Sequence, residues 1–294
     1  MAEVMSIESG GEPIRCSSLS VKESIFMYCP VVVAQCGVPI QGKCTLKGAT
    51  GDVDIIPVGW SQVTEALIST TFWPESFQDK LKTIYPPVAG TYDIKSLLEK
   101  YGFTYLLYTD LKPKWIEVPS MKYKTLMDFL TLKVSSGGGA YITTTLSGEV
   151  AVYDLYKAYQ DSPKTSIFGA MVSSQSSAEW FINSHGKYKI TQHKDGEKYT
   201  NTQEIEKRFG MGNIEEIMTQ DKLAWQTEIE TQNYYNRMLY TSTLTKWALK
   251  GGTQYTLGTC AYISGSDKDA TKGVIVEAEA NFGEAYITLA MPVV

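Results

Sequence analysis

The chain has 294 residues, a net charge of −5, 43% hydrophobic residues and 20% charged residues. That composition suits a globular protein with a sizeable core and excludes a large disordered fraction. The length exceeds the usual single-domain size, so two domains, or one domain with an insertion, are expected.

Residues 1–90 and 161–294 are each slightly acidic and 91–160 slightly basic, so no basic stripe is available to displace counterions from a nucleic acid. The sequence has no apolar run of about 18 residues, and its start, MAEVMSIESGGEP, lacks the charged and apolar regions of a signal peptide. It is therefore expected to be made and matured in the cytoplasm, without stable membrane insertion. Nineteen tyrosines against nine phenylalanines suit surfaces that are apolar on one side and wet on the other, which hints at assembly.

In chain order, residues 24–28, 31–36 and 43–46 are short β-rich runs broken by Pro30, Gly37, Pro39 and Gly42, and read as strands joined by tight turns. Residues 52–58 give one more strand and 62–69 a short helix. The segment 71–87 holds Trp73-Pro74 and Pro86-Pro87, which argues against regular structure and places a boundary near Gly90. Thr91 can cap a second helix in which Ile94, Leu97, Leu98 and Tyr101 share a face, stopped by Gly102. A strand is expected at 103–108.

The stretch 115–155 is the most informative. Ser120 is placed to cap a helix whose Tyr123, Leu126, Met127, Leu130 and Val134 recur with helical spacing. Residues 135–139, with three glycines, break that helix. Residues 141–146 and 149–155 then form a hairpin about Ser147-Gly148. The prediction for 91–155 is helix, strand, helix, hairpin: a small α+β module.

Farther on, 165–173 predicts a strand and 173–177 a serine-rich turn. Residues 183–203 are polar and glycine-punctuated, and read as an exposed loop. Residues 221–239 predict a helix without a clean apolar stripe. The runs 243–249, 254–263, 273–280 and 285–292 predict a four-stranded meander suited to half of a barrel or sandwich.

Catalytic chemistry finds little support. The two histidines, His185 and His193, fall in the polar loop region, and no G-x-S-x-G elbow exists. Phe209 to Asn213 is a lone G-x-G, read as a turn, and Gly137 to Gly139 follow a helix where a phosphate cradle would precede one. Glu215 and Glu216 read as a solvated helix face, and Glu277 and Glu279 as outward positions of one strand. Trp115, Trp225 and Trp247 allow a sugar platform, although core or interface tryptophan is commoner. Cys16, Cys29, Cys36, Cys44 and Cys260 lack a C-x-x-C pair and are expected to be small buried thiols rather than metal ligands.

The order of these parts resembles the hub proteins of phage tail baseplates and related contractile injection machines, which join the tail tube to the central spike. Residues 18–36, SLSVKESIFMYCPVVVAQC, resemble the opening strand pair of that family's first tube-like domain. Residues 115–155 resemble its middle segment: a helix with a polar-aromatic patch and leucines, then glycines, then a hairpin closing on Gly148 and Asp154. The run from Asn233 through Arg237 into the strands at 274–292 resembles the second tube-like domain, whose last strands end in an alternating apolar segment and a proline. The order of the three carries the resemblance.

The resemblance implies an α+β, mainly β fold with two tube-like β-barrel domains, 1–90 and 161–294, flanking the α+β module at 91–160. It implies a homotrimer whose six barrels adapt a sixfold tail tube to a threefold spike and enclose the channel. The implied partners are further copies of the chain, the tail tube protein, the central spike protein and other baseplate proteins. DNA would be only passing cargo, and the location the virion tail baseplate, after assembly in the host cytoplasm. No enzyme activity, cofactor or metal is implied, and no binding residue is assigned. The chain is short for the family, with no fused spike, lysozyme or peptidase domain after Val294, so the spike is expected to be a separate protein. The other readings are a different tail component (tube initiator, distal tail or wedge protein) and a cell-wall glycan-active enzyme.

Overall fold

The computed structural model describes residues 5–48, 51–81, 91–92, 94–107, 116–117, 141–161, 163, 165–168, 170–176, 187–194, 197–200, 214–220, 243–249, 255–264, 271–281 and 284–291. The protein is mostly β, dominated by large antiparallel sheets.

The N-terminal part opens with β1 (Ser6–Ser9) and β2 (Glu12–Ile14), joined through Gly10 and Gly11, both at positive φ. β3 (Ser18–Ser24), β4 (Val31–Cys36), β5 (Cys44–Lys47), β6 (Val53–Thr64) and β7 (Leu67–Pro74) follow, and β7 runs into a 3-10 helix at Glu75–Leu81. The strand order is β3-β4-β7-β6-β5-β1-β2, antiparallel throughout. Alternate residues of β3, β4 and β5 are buried, and Ile7, Leu19, Val32, Leu46, Ile55 and Phe72 meet in one core. Ile7 on β1 and Leu19 on β3 lie near opposite ends of the strand order yet share that core, so the sheet curls around it.

Three expectations fail here. The run 24–28 is not a strand, because the Ser24 hydroxyl accepts from the Phe26 amide at 3.2 Å and the Ser24 carbonyl from the Met27 amide at 3.3 Å, which turns the chain. Residues 62–69 are not helical. Val63, Ala66 and Leu67 mimic helical spacing, but Gln62 and Thr64 pair with Ile68 and Leu67 across the β6–β7 hairpin, Ile68 to Phe72 pair with β4 and bury Phe72, and those pairings override the local pattern. The Pro74 that argued against regular structure instead ends a strand, where a missing N–H is tolerated.

The middle comprises β8 (Thr91–Tyr92), α1 (Ile94–Lys100), β9 (Tyr105–Leu107), β10 (Ile116–Glu117), β11 (Tyr141–Thr144), β12 (Val150–Tyr153) and α2 (Leu155–Gln160). α1 stops as expected at Gly102, whose φ is +71° and whose amide donates to the Glu99 carbonyl at 3.0 Å. Thr91 is not its cap, since it pairs with Glu117 in the β8–β10 ladder. β11 and β12 form the expected hairpin, with Gly148 at φ +91°, and β9 lies parallel to β12. Leu155 leaves the hairpin to start α2, capped by Asp154, whose carboxylate accepts from the Lys157 amide at 3.1 Å. The helix expected at 120–134 and its glycine run lie outside the described residues.

The C-terminal part comprises β13 (Thr165–Phe168), β14 (Met171–Ser176), β15 (Lys187–Lys194), β16 (Glu197–Thr200), β17 (Ile214–Gln220), β18 (Thr243–Leu249), β19 (Cys260–Ser264), β20 (Thr271–Asn281) and β21 (Glu284–Met291). The expected strand 165–173 is two strands, β13 pairing with β19 and β14 with β18, and Ser173, Ser174 and Ser176 of the expected turn lie within β14. The expected loop at 183–203 contains β15 and β16, which form a small sheet with β17. Asp195-Gly196, a hairpin signal, stands between β15 and β16 in the sequence. The helix expected at 221–239 lies outside the described residues. The last strands are not a simple meander: β18 pairs with β21, and β19 with β20. The 254–263 run becomes a strand only at Cys260, because Gly258, at φ +75°, turns the chain first.

β20 joins the two parts. β21 lies along one of its edges, and along the other β19 pairs with residues 271–274 and β3 with residues 277–281. Between those stretches a bulge at Val276 directs its carbonyl to the Ile25 amide at 3.0 Å. Thirteen strands from both ends of the chain thus form one sheet. Ile167, Trp247, Ile263, Ile275, Ile287 and Leu289 build a second core among the C-terminal strands. A third core lies at the joint, where Ala151, Tyr153, Leu155 and Ala158 of the middle pack on Ile25, Val274, Val276 and Ala290. Among the described residues no ladder closes this sheet into a barrel.

Candidate assembly surface

The residues that sequence chemistry singled out are dispersed. His193 lies on β15 in register with Lys198 and Gln220, while His185, Trp115, Trp225, the G-x-G at 209–213 and Gly137 to Gly139 lie outside the described residues. Glu215 and Glu216 are on β17 opposite Tyr188 and Lys189, not on a helix. Trp247 is only 2% exposed and belongs to the second core, so it is no platform for a sugar. Among the described residues no group of three or more His, Cys, Asp or Glu is placed to hold a metal ion.

Glu277 and Glu279 are partners rather than free outward charges. They sit on one face of β20, and β3, β21 and β18 supply groups to that face. Glu277 takes Lys22 at 3.3 Å and accepts from the Ser24 and Thr288 hydroxyls at 3.2 Å each. Glu279 takes Lys246 at 2.6 Å and accepts from the Asn281 amide at 3.4 Å, and the Lys246 ammonium also lies 4.6 Å from the Tyr286 ring centroid. Burial alone would raise the Glu279 carboxyl; the hydrogen bond and charge of Lys246, with help from Asn281 and Lys22, outweigh it and hold the group below its ordinary value. The stripe is a cross-strand seam over the β3–β20 joint, with both carboxylates already engaged.

A cleft of about 490 Å³ lies beside the first curl, lined by Asp52, Asp54, Glu75, Ser76, Asp79 and Ser147 among others. Its carboxylates are also engaged. Lys43 bridges Asp54 and Glu75, each at 2.7 Å, and Lys47 takes Asp52 and Glu8. The Lys43 hydrogen bond holds the Asp54 carboxyl down. These pairs tie β5, β6 and the 3-10 helix together. At the cleft's far wall the Gly148 turn closes on that helix so tightly that a Cβ would sit 2.5 Å from the Ser76 hydroxyl.

What the surface does offer is open strand edge with apolar side chains. β5 is short and pairs only with residues 53–55 of β6, so beyond Ile55 that edge of β6 carries no described ladder. Residues 58–64 are exposed, with Trp60 at 65% and Val58 and Val63 also large and exposed. β14 is an open edge at one end of the strand order, paired with β18 alone among the described strands. Met171 is 69% exposed and Val172 also exposed on it, and Phe168 at the end of β13 is 75% exposed. Phe168 shares a face with Tyr262, because Ser166 is the register partner of Tyr262. Open apolar edges are a template for pairing with another chain, and soluble proteins normally cover them. Sequence reasoning missed both. A signal was present in Val58, Trp60 and Val63, apolar residues on both parities of one strand.

No protein-family model matches the sequence. No curated protein matches it either. Solved structures do. A tail protein from Neisseria meningitidis MC58 superposes with a TM-score of 0.70 at 10% identity, covering 99% of this chain and 97% of that one. The 43 kDa tail protein of prophage MuSo2 from Shewanella oneidensis gives 0.63 at 13% identity, covering 99% and 98%. The prophage tail protein gp18 from Listeria monocytogenes EGD-e gives 0.56 at 9% identity, covering 97% and 94%. At such identities the likeness is one of fold, and it extends over nearly the whole of each chain.

Proposed function

We propose that this chain is a structural component of a phage tail or phage-like injection machine and, within that class, the baseplate hub. The observation that carries the reading is the full-length likeness to three tail proteins, including one at a TM-score of 0.70. In this reading residues 1–90 and 161–294 are two tube-like units and 91–160 the module between them. Three copies form a ring with six such units, docking a sixfold tail tube on one side and a threefold spike on the other, around the channel through which DNA passes. The work is geometrical, with no catalytic step. Partners are two further copies, the tail tube protein, the spike and neighbouring baseplate proteins, in the virion tail after assembly in the host cytoplasm.

The open edges support the same reading. One chain carries different unpaired edges, among them those of β6 and β14, and joining unlike surfaces head to tail generates a closed ring when the rotation allows. Adding a strand across such an edge uses main-chain hydrogen bonds for affinity and the exposed side chains for specificity.

Native mass spectrometry of the purified chain and a density map of the assembled tail test this. A trimer located between tube and spike is expected, and Trp60→Asp should reduce the trimer fraction while leaving the monomer folded by circular dichroism. A sixfold ring would select a tube initiator or distal tail protein, and a peripheral position a wedge protein. A chain that stays monomeric both alone and in the tail would refute assembly altogether.

A further inference from the structure

All five cysteines are free thiols, yet two of them are in contact: the sulfurs of Cys36 and Cys16 lie 3.1 Å apart. That is about 1 Å longer than a disulfide bond of ~2.05 Å. The approach is built into the sheet. Ser18 is the register partner of Gln35, and the Ser17 amide and hydroxyl both donate to the Gln35 carbonyl, at 2.8 and 3.0 Å. Those bonds lay Cys16, just ahead of β3, alongside the end of β4 that carries Cys36. The two thiols differ in access, since Cys16 is only partly buried whereas Cys36 is buried against the first core. A third thiol, Cys44 on β5, is buried in the same core.

We propose that Cys16 and Cys36 form a thiol–disulfide exchange site that takes a small-molecule disulfide of the glutathione type and stores its oxidation as a cross-strand bond. The Cys16 thiolate attacks one sulfur of the small disulfide; that sulfur–sulfur bond breaks, and one glutathione thiolate leaves and takes up the proton that Cys16 lost. The Cys36 thiolate then attacks the Cys16 sulfur of the mixed disulfide and expels the second glutathione thiolate, which takes up the Cys36 proton. Two protein thiols are oxidised to one disulfide and one small disulfide is reduced to two thiols, so atoms and electrons balance. The product ties the segment before β3 to the end of β4. β3 is the strand that pairs with β20, so the bond fastens the N-terminal curl beside the joint of the whole sheet.

Burial pushes the Cys16 thiol up to about 12, reinforced by its hydrogen bond with Cys36 and by the charges of Cys36 and Cys44. Little thiolate exists at neutral pH, and only the thiolate attacks. Exchange is therefore slow in a neutral reducing compartment and quickens with alkalinity, by about tenfold per pH unit while the thiolate fraction remains small. The inference does not depend on the tail assignment and fails independently of it.

The experiment incubates the folded chain with oxidised glutathione at several pH values, quenches with acid, alkylates the remaining thiols and maps non-reduced peptides by mass spectrometry. The expected product is a chain lacking two hydrogens, with Cys16 linked to Cys36 and three thiols alkylated, formed faster at higher pH. Cys36→Ser should stop at one glutathionyl group on Cys16, and Cys16→Ser should give neither product. Cys44→Ser should still form the bond. A wild-type chain that keeps five thiols at equilibrium, links Cys44 instead, or forms the bond only in urea would overturn the proposal, and these readouts hold even if one serine variant fails to fold.

Discussion

Gly258 offers a direct test of how the middle of the chain is held to the joint. It sits at φ +75°, and a Cβ on it would fall 1.9 Å from Cδ1 and 2.4 Å from Cε1 of Tyr153. Neither side can yield easily. Tyr153 is 2% exposed in the core that binds β12 and α2 to β20. The turn is pinned by the Gly258 amide on the Ile275 carbonyl at 2.7 Å and the Ile275 amide on the Thr259 carbonyl at 3.0 Å. Gly258→Ala should then cost about 1–2 kcal/mol for a left-handed alanine and about 1–3 kcal/mol more for overpacking the ring. Tyr153→Ala alone should cost about 3–5 kcal/mol, as other buried aromatic truncations do. It also makes room for the methyl group, so in the double variant only the backbone strain should persist, and its loss should fall short of the sum of the single losses by about 1–3 kcal/mol. Urea unfolding followed by tryptophan fluorescence, with midpoints compared at a common slope, measures all three. A Gly258→Ala chain within about 0.5 kcal/mol of wild type, or a strictly additive double variant, would refute the packing argument.

Two carboxylates predict opposite pH behaviour. Glu279 is held below its ordinary value, so the stability it contributes is present above the unfolded carboxylate pKa and is lost as pH falls through the lower folded one. Glu279→Gln should cost up to about 1 kcal/mol at pH 7, with the cost shrinking below about pH 4; a difference that does not change with pH would contradict this. Burial pushes the Glu23 carboxyl up, so its charged form is a penalty present above the folded value and relieved as pH falls through it. Glu23→Gln should raise the urea midpoint at pH 7 and leave it unchanged near pH 4, and a loss of stability at pH 7 would show that the charge is needed.

Where the fold was legible, the reason is local. β4, β18, β20 and β21 were found within a few residues because β-branched and aromatic residues run there between clear turn signals. α1 was found because Gly102 ends it in the left-handed conformation that glycine adopts at least cost. Residues 62–69 were misread because Val63, Ala66 and Leu67 satisfy a helical spacing that the β6–β7 hairpin and the pairing of β7 with β4 overrule. The serines of β14 and the polar residues of β15 and β16 were misread because polarity marks a loop only when the backbone lacks a ladder, and here ladders satisfy it. Glu277 and Glu279 were rightly placed on one strand, but their lysine partners come from β3 and β18 and could not be foreseen from spacing.

By itself the sequence determined that this is a globular chain rich in strands, with a small α+β stretch between two β-rich ends and tight turns at Gly42, Gly102 and Gly148. Those features are set by side-chain sterics and by periodicities a few residues long. Only the tertiary structure decided which strand lies beside which: that β18 passes over β19 to reach β21, that β20 shares one edge between β19 and β3, and that the edges of β6 and β14 stay open. An alternating strand reads the same whatever its neighbour, and Ser24 meets Glu277 across 253 residues of chain. The choice among neighbours is made by which arrangement buries Val274, Ile275 and Val276 on both faces of one strand at once, a condition that no local window contains.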